Sequence, residues 1–215
     1  MNDVVIAYDL GTGGIKSSIV NEGGQIVCST FVPYQTYYSA NGWQEQAPEE
    51  WWQALVLSTR RLLDQGRIPL KAIRALAISG HSLGVVPMGA DGSLLRCKTP
   101  IWSDMRALDE AEDFFRKTDY QEWYEVTGNG FPPACYSLFK IAWYKHHEPE
   151  MYAKVNKIIG TKDYCNYRFT GRLCTDYSYA SGSGAFSLST WSYREDYIQL
   201  AGISPEVFPE IIPSD

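Results

Sequence analysis

Six residues near the start of the chain, Asp9-Leu10-Gly11-Thr12-Gly13-Gly14, with Lys16 close behind, hold the densest chemistry in the sequence. Glycines without Cβ atoms permit unusual φ angles and close approach, so the backbone N–H groups of Gly11, Thr12, Gly13 and Gly14 could converge on phosphate oxygens. A carboxylate at Asp9, just before such a turn, is placed to hold Mg2+ beside those phosphates, directly or through water. Lys16 adds a cation that would screen a transferring group. The turn has neither the G-K-[ST] ending of a P-loop nor the G-x-G-x-x-G of a dinucleotide turn. By spacing alone, it is equally a hairpin bend that binds nothing.

Such a turn works only if the flanking elements hold it. Residues 4–8 form an unbroken apolar run that predicts a buried strand ending abruptly at the glycines. Residues 15–20 and 25–32, joined by the turn Asn21-Glu22-Gly23-Gly24, predict two further strands, making a β-meander. From Pro48 the period changes to 3.6, with Trp52, Leu55, Val56, Leu62 and Leu63 on one side, Glu49 and Glu50 in the first turn, and Gly66 expected just past the end. Residues 75–80 predict another buried strand and residues 85–88 a further one. A tight turn at Ala90-Asp91-Gly92-Ser93 then leads to Pro100-Ile101-Trp102. Helices are predicted over 107–117, 120–126, 137–147 and 162–169. The sum is one α/β domain without repeats or long linkers.

Composition narrows the function classes. A hydrophobic content of 45% over 215 residues suffices for a sizeable core, and a net charge of −6 argues against a nucleic-acid partner, which needs a clustered basic surface. A small neutral substrate is the easier fit. The five cysteines (Cys28, Cys97, Cys135, Cys165, Cys174) are odd in number and form no C-x-x-C pair, so they read as reduced thiols rather than as disulfides or a zinc site. No stretch reaches the roughly 18 apolar residues of a membrane span, and no basic leader precedes the first strand. The expectation is a cytoplasmic protein that needs no membrane. The aromatic content of 14% would suit a carbohydrate pocket, although for any single ring a place in the core or on the surface is the commoner reading.

The stretch from Asp9 to Lys16, on a first strand followed by a hairpin, resembles the first phosphate motif of the actin, Hsp70 and sugar kinase superfamily. Within it the chain is similar to the FGGY carbohydrate kinases, the xylulokinase branch most of all. The similarity runs through nearly all 215 residues: Gly42-Trp43-Gln44-Glu45-Gln46, the Trp51-Trp52 helix, Ile101-Trp102-Ser103-Asp104-Met105-Arg106, His147-Glu148-Pro149-Glu150, Thr161-Lys162-Asp163-Tyr164 and Thr170-Gly171. It implies an actin-like ATPase (ribonuclease H-like) fold and ATP-dependent phosphorylation of a sugar hydroxyl. The acceptor would be a ketose or polyol, with xylulose as the default, and ATP and Mg2+ the cofactors. A full-length homodimer is in keeping with the family.

The resemblance assigns roles by position. Asp9 would organise Mg-ATP, Gly11, Thr12 and Gly13 would face the terminal phosphates, and Lys16 would supply charge; a solvated strand-end lysine is the plainer alternative. Ser79-Gly80-His81-Ser82-Leu83-Gly84 stands where xylulokinases carry Gly-Gln-Met-His-Gly. The family histidine falls on Leu83, whereas this chain places a histidine at His81, which either holds a sugar hydroxyl or braces the loop. Ser82 and Leu83 would line the sugar site with Trp102 as a wall. Asp104 would contact substrate or form a structural ion pair with Arg106. Tyr136 would stand on the far wall or start a helix as a core residue. Asp176, in a Thr-Asp-x-x-x-Ala-Ser segment, is expected to cap a helix.

The family's catalytic base is an aspartate in a Gly-Asp segment that would come after Asp215, and its members are about twice as long, with a second domain that binds adenine. The chain is therefore expected to be a first domain that stops before its final segment and to have little turnover by itself. The competing reading is an actin- or Hsp70-like nucleotide switch acting on a protein partner. The Trp-x-Asp-x-Arg stretch favours the kinase.

Overall fold

The computed structural model of the protein describes residues 3–214. Strands β1 (Val4–Gly11), β2 (Gly14–Asn21) and β3 (Ile26–Pro33) form the expected meander, β1 and β2 antiparallel through the pairs Leu10↔Ile15, Tyr8↔Ser17 and Ile6↔Ile19. All six of these residues are buried, because directly opposed residues share one face of a sheet. Two short strands, β4 (Tyr37–Tyr38) and β5 (Gln44–Gln46), lead into helix α1 (Pro48–Gly66). Trp51, Ala54, Leu55, Ser58 and Leu62 line one side of α1 at helical spacing and are buried against that face of the sheet. Ser17 Oγ donates to Ser58 Oγ at 2.9 Å, so the one polar group β2 buries there is satisfied.

The helix stop differs from expectation. Gly66 is the last helical residue, and Arg67, at φ 49°, takes the left-handed cap position. A Cβ on Gly66 would stand 3.2 Å from Cys28 Sγ and 3.0 Å from Ile68, so Gly66 serves close packing against β3 rather than the left-handed turn.

Strand β6 (Ile73–Gly80) joins parallel to β1, with Asp9↔Ser79 and Leu10↔Gly80, giving the mixed order β3-β2-β1-β6. Its apolar run had indicated burial on both faces. Instead Ala75, Leu76, Ala77 and Ser79 are exposed; among the described residues β6 is an edge strand, paired with β1 and uncovered along much of both faces.

The second half packs around a helical core. Strand β7 (Val86–Gly89) is followed by β8 (Thr99–Pro100), which pairs with β5, and by helices α2 (Leu108–Phe115), α3 (Tyr120–Thr127) and α4 (Ser137–His147). Phe114, Phe139 and Trp123 meet edge to face or tilted at the centre, and α4 is buried on every side from Ser137 to Tyr144. After the short α5 (Pro149–Tyr152), strand β9 (Val155–Ile159) returns to pair antiparallel with β7. The rest comprises α6 (Thr161–Thr170), β10 (Cys174–Asp176), α7 (Tyr177–Ser181), β11 (Phe186–Ser187), β12 (Ser192–Tyr193), α8 (Glu195–Leu200) and β13 (Glu210–Ile212), the last parallel to β10. Asp176 caps α7 as expected, its carboxylate accepting the Tyr179 N–H at 2.8 Å. The β7–β9 ribbon and the residue before it lie between two apolar clusters: Val85, just ahead of β7, and Ile158 face the helical one, Val86 and Ile159 the one under the sheet. All five cysteines are free thiols, and no described helix is long and apolar enough to cross a membrane.

Candidate functional site

The β1–β2 bend is a two-residue turn, Thr12-Gly13, between the paired Gly11 and Gly14. Gly14 is required by proximity: a Cβ there would stand 2.6 Å from the Val32 carbonyl and 2.8 Å from Pro33 Cα. The turn's carbonyls point inward. That of Thr12 accepts from Gln46 Nε2 at 2.7 Å and from Thr36 Oγ1 at 3.2 Å, and that of Gly11 from the Tyr34 hydroxyl. The Thr12 and Gly13 N–H groups find no acceptor among the described residues, and the space beside Gly13 is open. Asp9 and Lys16 are directly paired across β1 and β2, both exposed on the sheet face opposite α1. An open carboxylate, an adjacent ammonium and two free N–H donors suit a metal-bound phosphate group.

Trp102 meets this turn from a distance of 90 positions in the chain: its indole N–H donates to Thr12 Oγ1 at 3.0 Å, while the ring remains 39% exposed. Gln46 ties the turn into the core. Because its amide N–H groups serve Thr12 and Thr36, its Oε1 accepts the Trp51 indole N–H at 2.8 Å and meets His81 Nε2 at 3.2 Å. Nε2 of His81 must therefore carry the proton, leaving Nδ1 to accept from Thr161 Oγ1 at 3.3 Å. Burial in this corner pushes the His81 imidazole down to about 4, with a contact to the Ser82 backbone opposing part of the shift. Both ring nitrogens of His81 are thus engaged within the fold.

The loop after β6 starts beside the turn, the His81 N–H donating to the Leu10 carbonyl at 2.9 Å. Leu83 stands at φ 64°, a left-handed conformation costly for a branched side chain. Lys140 secures it. Its buried ammonium, carried on α4, donates to the Leu83 carbonyl at 3.2 Å and the Ile101 carbonyl at 2.6 Å, joining this loop to the one that presents Trp102. Burial pulls the Lys140 ammonium down to about 7. Beyond Leu83 opens a cavity of about 430 Å³ lined by Ser82, Leu83, Asn129, Phe131, Tyr136 and Ser178, with glycines and Ser181 between. Among the described residues no charged side chain lines it. Tyr136 is buried in its wall, and its hydroxyl accepts the Phe131 N–H at 2.8 Å.

The structure brings Gly11, Thr12, Gly13 and Trp102 together at the turn, and Ser82, Leu83 and Tyr136 around the cavity, with His81 between the two groups. Asp104 lies behind them. It is fully buried, one oxygen accepting the Gln44 N–H at 2.6 Å and both meeting the Arg106 guanidinium at 2.9 Å. Arg106 also bonds Glu45 at 2.9 Å and lies over the Trp43 ring. Asp104 therefore serves as the buried partner of Arg106 below the Trp102 loop and does not reach the cavity. Sequence reasoning gave no individual role to Gln46, Thr161, Asn129 or Lys140. Lys140 had a usable signal, a lone cation among the apolar residues of 138–144; the others are ordinary polar residues whose roles depend on neighbours distant in the chain.

Residues 4–215 match the family described as "FGGY family of carbohydrate kinases, N-terminal domain". The chain belongs to the FGGY family of carbohydrate kinases. Among FGGY relatives, the xylulose kinase of Staphylococcus xylosus is 30% identical over 210 residues, covering 98% of this chain and 43% of that protein. The gluconokinase of Bacillus subtilis (strain 168) is 29% identical over 215 residues, 100% of this chain and 41% of that protein. The crystal structure of xylulose kinase from Rhodospirillum rubrum superposes with a TM-score of 0.89 at 25% identity, over 98% of this chain and 43% of that one. The chain thus spans well under half the length of the FGGY proteins it matches.

Proposed function

We propose that this chain forms the sugar-binding and Mg-phosphate part of an ATP-dependent kinase whose acceptor is a neutral ketose or polyol, xylulose being the reference case. The observation that carries the reading is adjacency. The turn at Thr12-Gly13 and the cavity wall at Ser82-Leu83 leave the carboxyl ends of two neighbouring parallel strands, linked by the His81 N–H to Leu10 carbonyl bond. Ligands of open α/β sheets lie at such strand ends. In this reading the free Thr12 and Gly13 N–H groups bind phosphate oxygens, Lys16 screens their charge, and Asp9 holds the waters or inner sphere of a magnesium ion. Mg-ATP supplies the phosphoryl group. Trp102 fixes the Thr12 side chain, and His81 braces the turn against α6, with Gln46 as intermediary.

The uncharged lining supports a neutral sugar over a sugar acid, whose carboxylate would otherwise lose its hydration without gaining a cation. Support for a kinase also comes from relatives named xylulose kinase and gluconokinase. Calorimetric titration of the chain with D-xylulose, D-gluconate and Mg-ATP tests the proposal, with Asp9→Asn as the control. Xylulose should bind more tightly than gluconate, and the magnesium dependence of ATP binding should disappear in Asp9→Asn. Tighter binding of gluconate would refute the neutral-sugar reading, and an unchanged magnesium dependence would refute the role of Asp9.

A further inference from the structure

We infer that Phe131 is the surface on which the carbon face of the sugar stacks, and so a determinant of which sugars the cavity holds; this rests on the sugar-binding reading above. Phe131 is 61% exposed at the edge of the cavity, although a benzyl group gains by leaving water. It is not loose. Pro132 and Pro133 follow it, so the ring to Pro132 confines the Phe131 backbone to extended geometry, and the Phe131 N–H is fixed on the Tyr136 hydroxyl at 2.8 Å. The chain thus holds an aromatic face at the entrance of an uncharged cavity on a restrained backbone.

The lining divides into two chemistries. On one side, the Ser82 and Ser178 hydroxyls make no side-chain hydrogen bond among the described residues and are open to a partner. Asn129, by contrast, is already used: Nδ2 donates to the Ser181 carbonyl at 2.9 Å and Oδ1 accepts the Gly184 N–H at 3.1 Å. On the other side stand Phe131, Leu83 and Tyr136. A sugar presents the same division, with hydroxyls on its rim and C–H groups on its face. Aromatic rings attract such C–H faces through their negative π-surface as well as by apolar contact. Sugars with several adjacent C–H groups on one side would therefore be preferred over those that present hydroxyls on both.

The test is titration of the 215-residue chain with D-xylulose by calorimetry, for the wild type, Phe131→Ala, Phe131→Leu and Phe131→Trp, with a melting curve for each. Because the ring is mostly exposed, the melting temperatures should agree, so changes in affinity report on the ligand. Alanine and leucine should each weaken binding about three- to tenfold, and tryptophan should preserve or tighten it. Leucine binding as well as phenylalanine would overturn the stacking role, since apolar cover alone would then suffice. Alanine binding equally well or better would overturn it too, while leaving the cavity as the sugar site. If the wild type, folded by its melting curve, binds no neutral sugar, the sugar reading fails, and the Phe131 inference with it.

Discussion

Acid should unfold this protein partly through His81, and the size of the effect follows from its surroundings. The imidazole is buried between Gln46, Trp51 and Thr161 and titrates at about 4 in the folded chain, against 6.5 ordinarily. The unfolded chain therefore takes up the proton first as pH falls, so protonation favours unfolding. The stability contributed by neutral His81 is complete above pH 6.5 and lost as pH falls through about 4. A displacement of that size corresponds to about 3 kcal/mol, a substantial part of a typical domain's stability. His81→Gln keeps an N–H donor within reach of Gln46 but cannot take the proton. Urea denaturation of wild type and variant at steps from pH 7 to pH 4 gives a difference in which the other histidines and the carboxylates cancel. That difference should change by about 3 kcal/mol in favour of the variant as pH falls. A flat difference, or a His81 proton resonance that titrates near 6.5 in the folded protein, would refute the argument.

Three other outcomes follow from the same geometry. The Trp102→Phe and Thr12→Val double-mutant cycle should give a coupling of about 1 kcal/mol in urea denaturation, as expected for one indole N–H to hydroxyl bond; zero coupling denies that bond. Asp104→Asn should destabilise by about 3 kcal/mol, because Arg106 is left buried with a weakened partner, and a loss under 1 kcal/mol would show the pair to be unimportant. Lys140 titrates at about 7 when folded and 10.5 otherwise, so between these values the unfolded chain keeps a proton that the folded chain gives up. Wild-type stability should therefore rise relative to Lys140→Met from pH 7 to pH 10, as read by denaturation midpoints; parallel curves would contradict the shift.

Much of the fold could be read in the sequence because its signals are local. The meander follows from the apolar run at 4–8 and the two glycine turns, and α1 and α4 from helical spacing. Burial was harder to read. The run at 75–80 has the composition of an interior strand, yet whether a strand is interior or at an edge depends on its neighbours, which composition does not encode. Strand β9 was missed because Lys157 interrupts its short apolar stretch while the side chain reaches out to the Glu206 and Phe208 carbonyls. At the site, the turn and Trp102 could be recognised as motifs. The contact between them could not, nor could the Gln46–His81–Thr161 chain of hydrogen bonds, since each member comes from a different part of the sequence.

The ribbon of β7 and β9 carries a consequence for how the molecule comes apart. Ile158 and Ile159 are adjacent in the chain but belong to opposite apolar clusters, and Val85 and Val86 repeat the division. Neither cluster can open fully without stripping one side of the same two strands, so both halves should melt in a single transition despite their separate interiors. Damage at one end of the molecule would thus be felt at the other, with no ligand or hinge needed to transmit it.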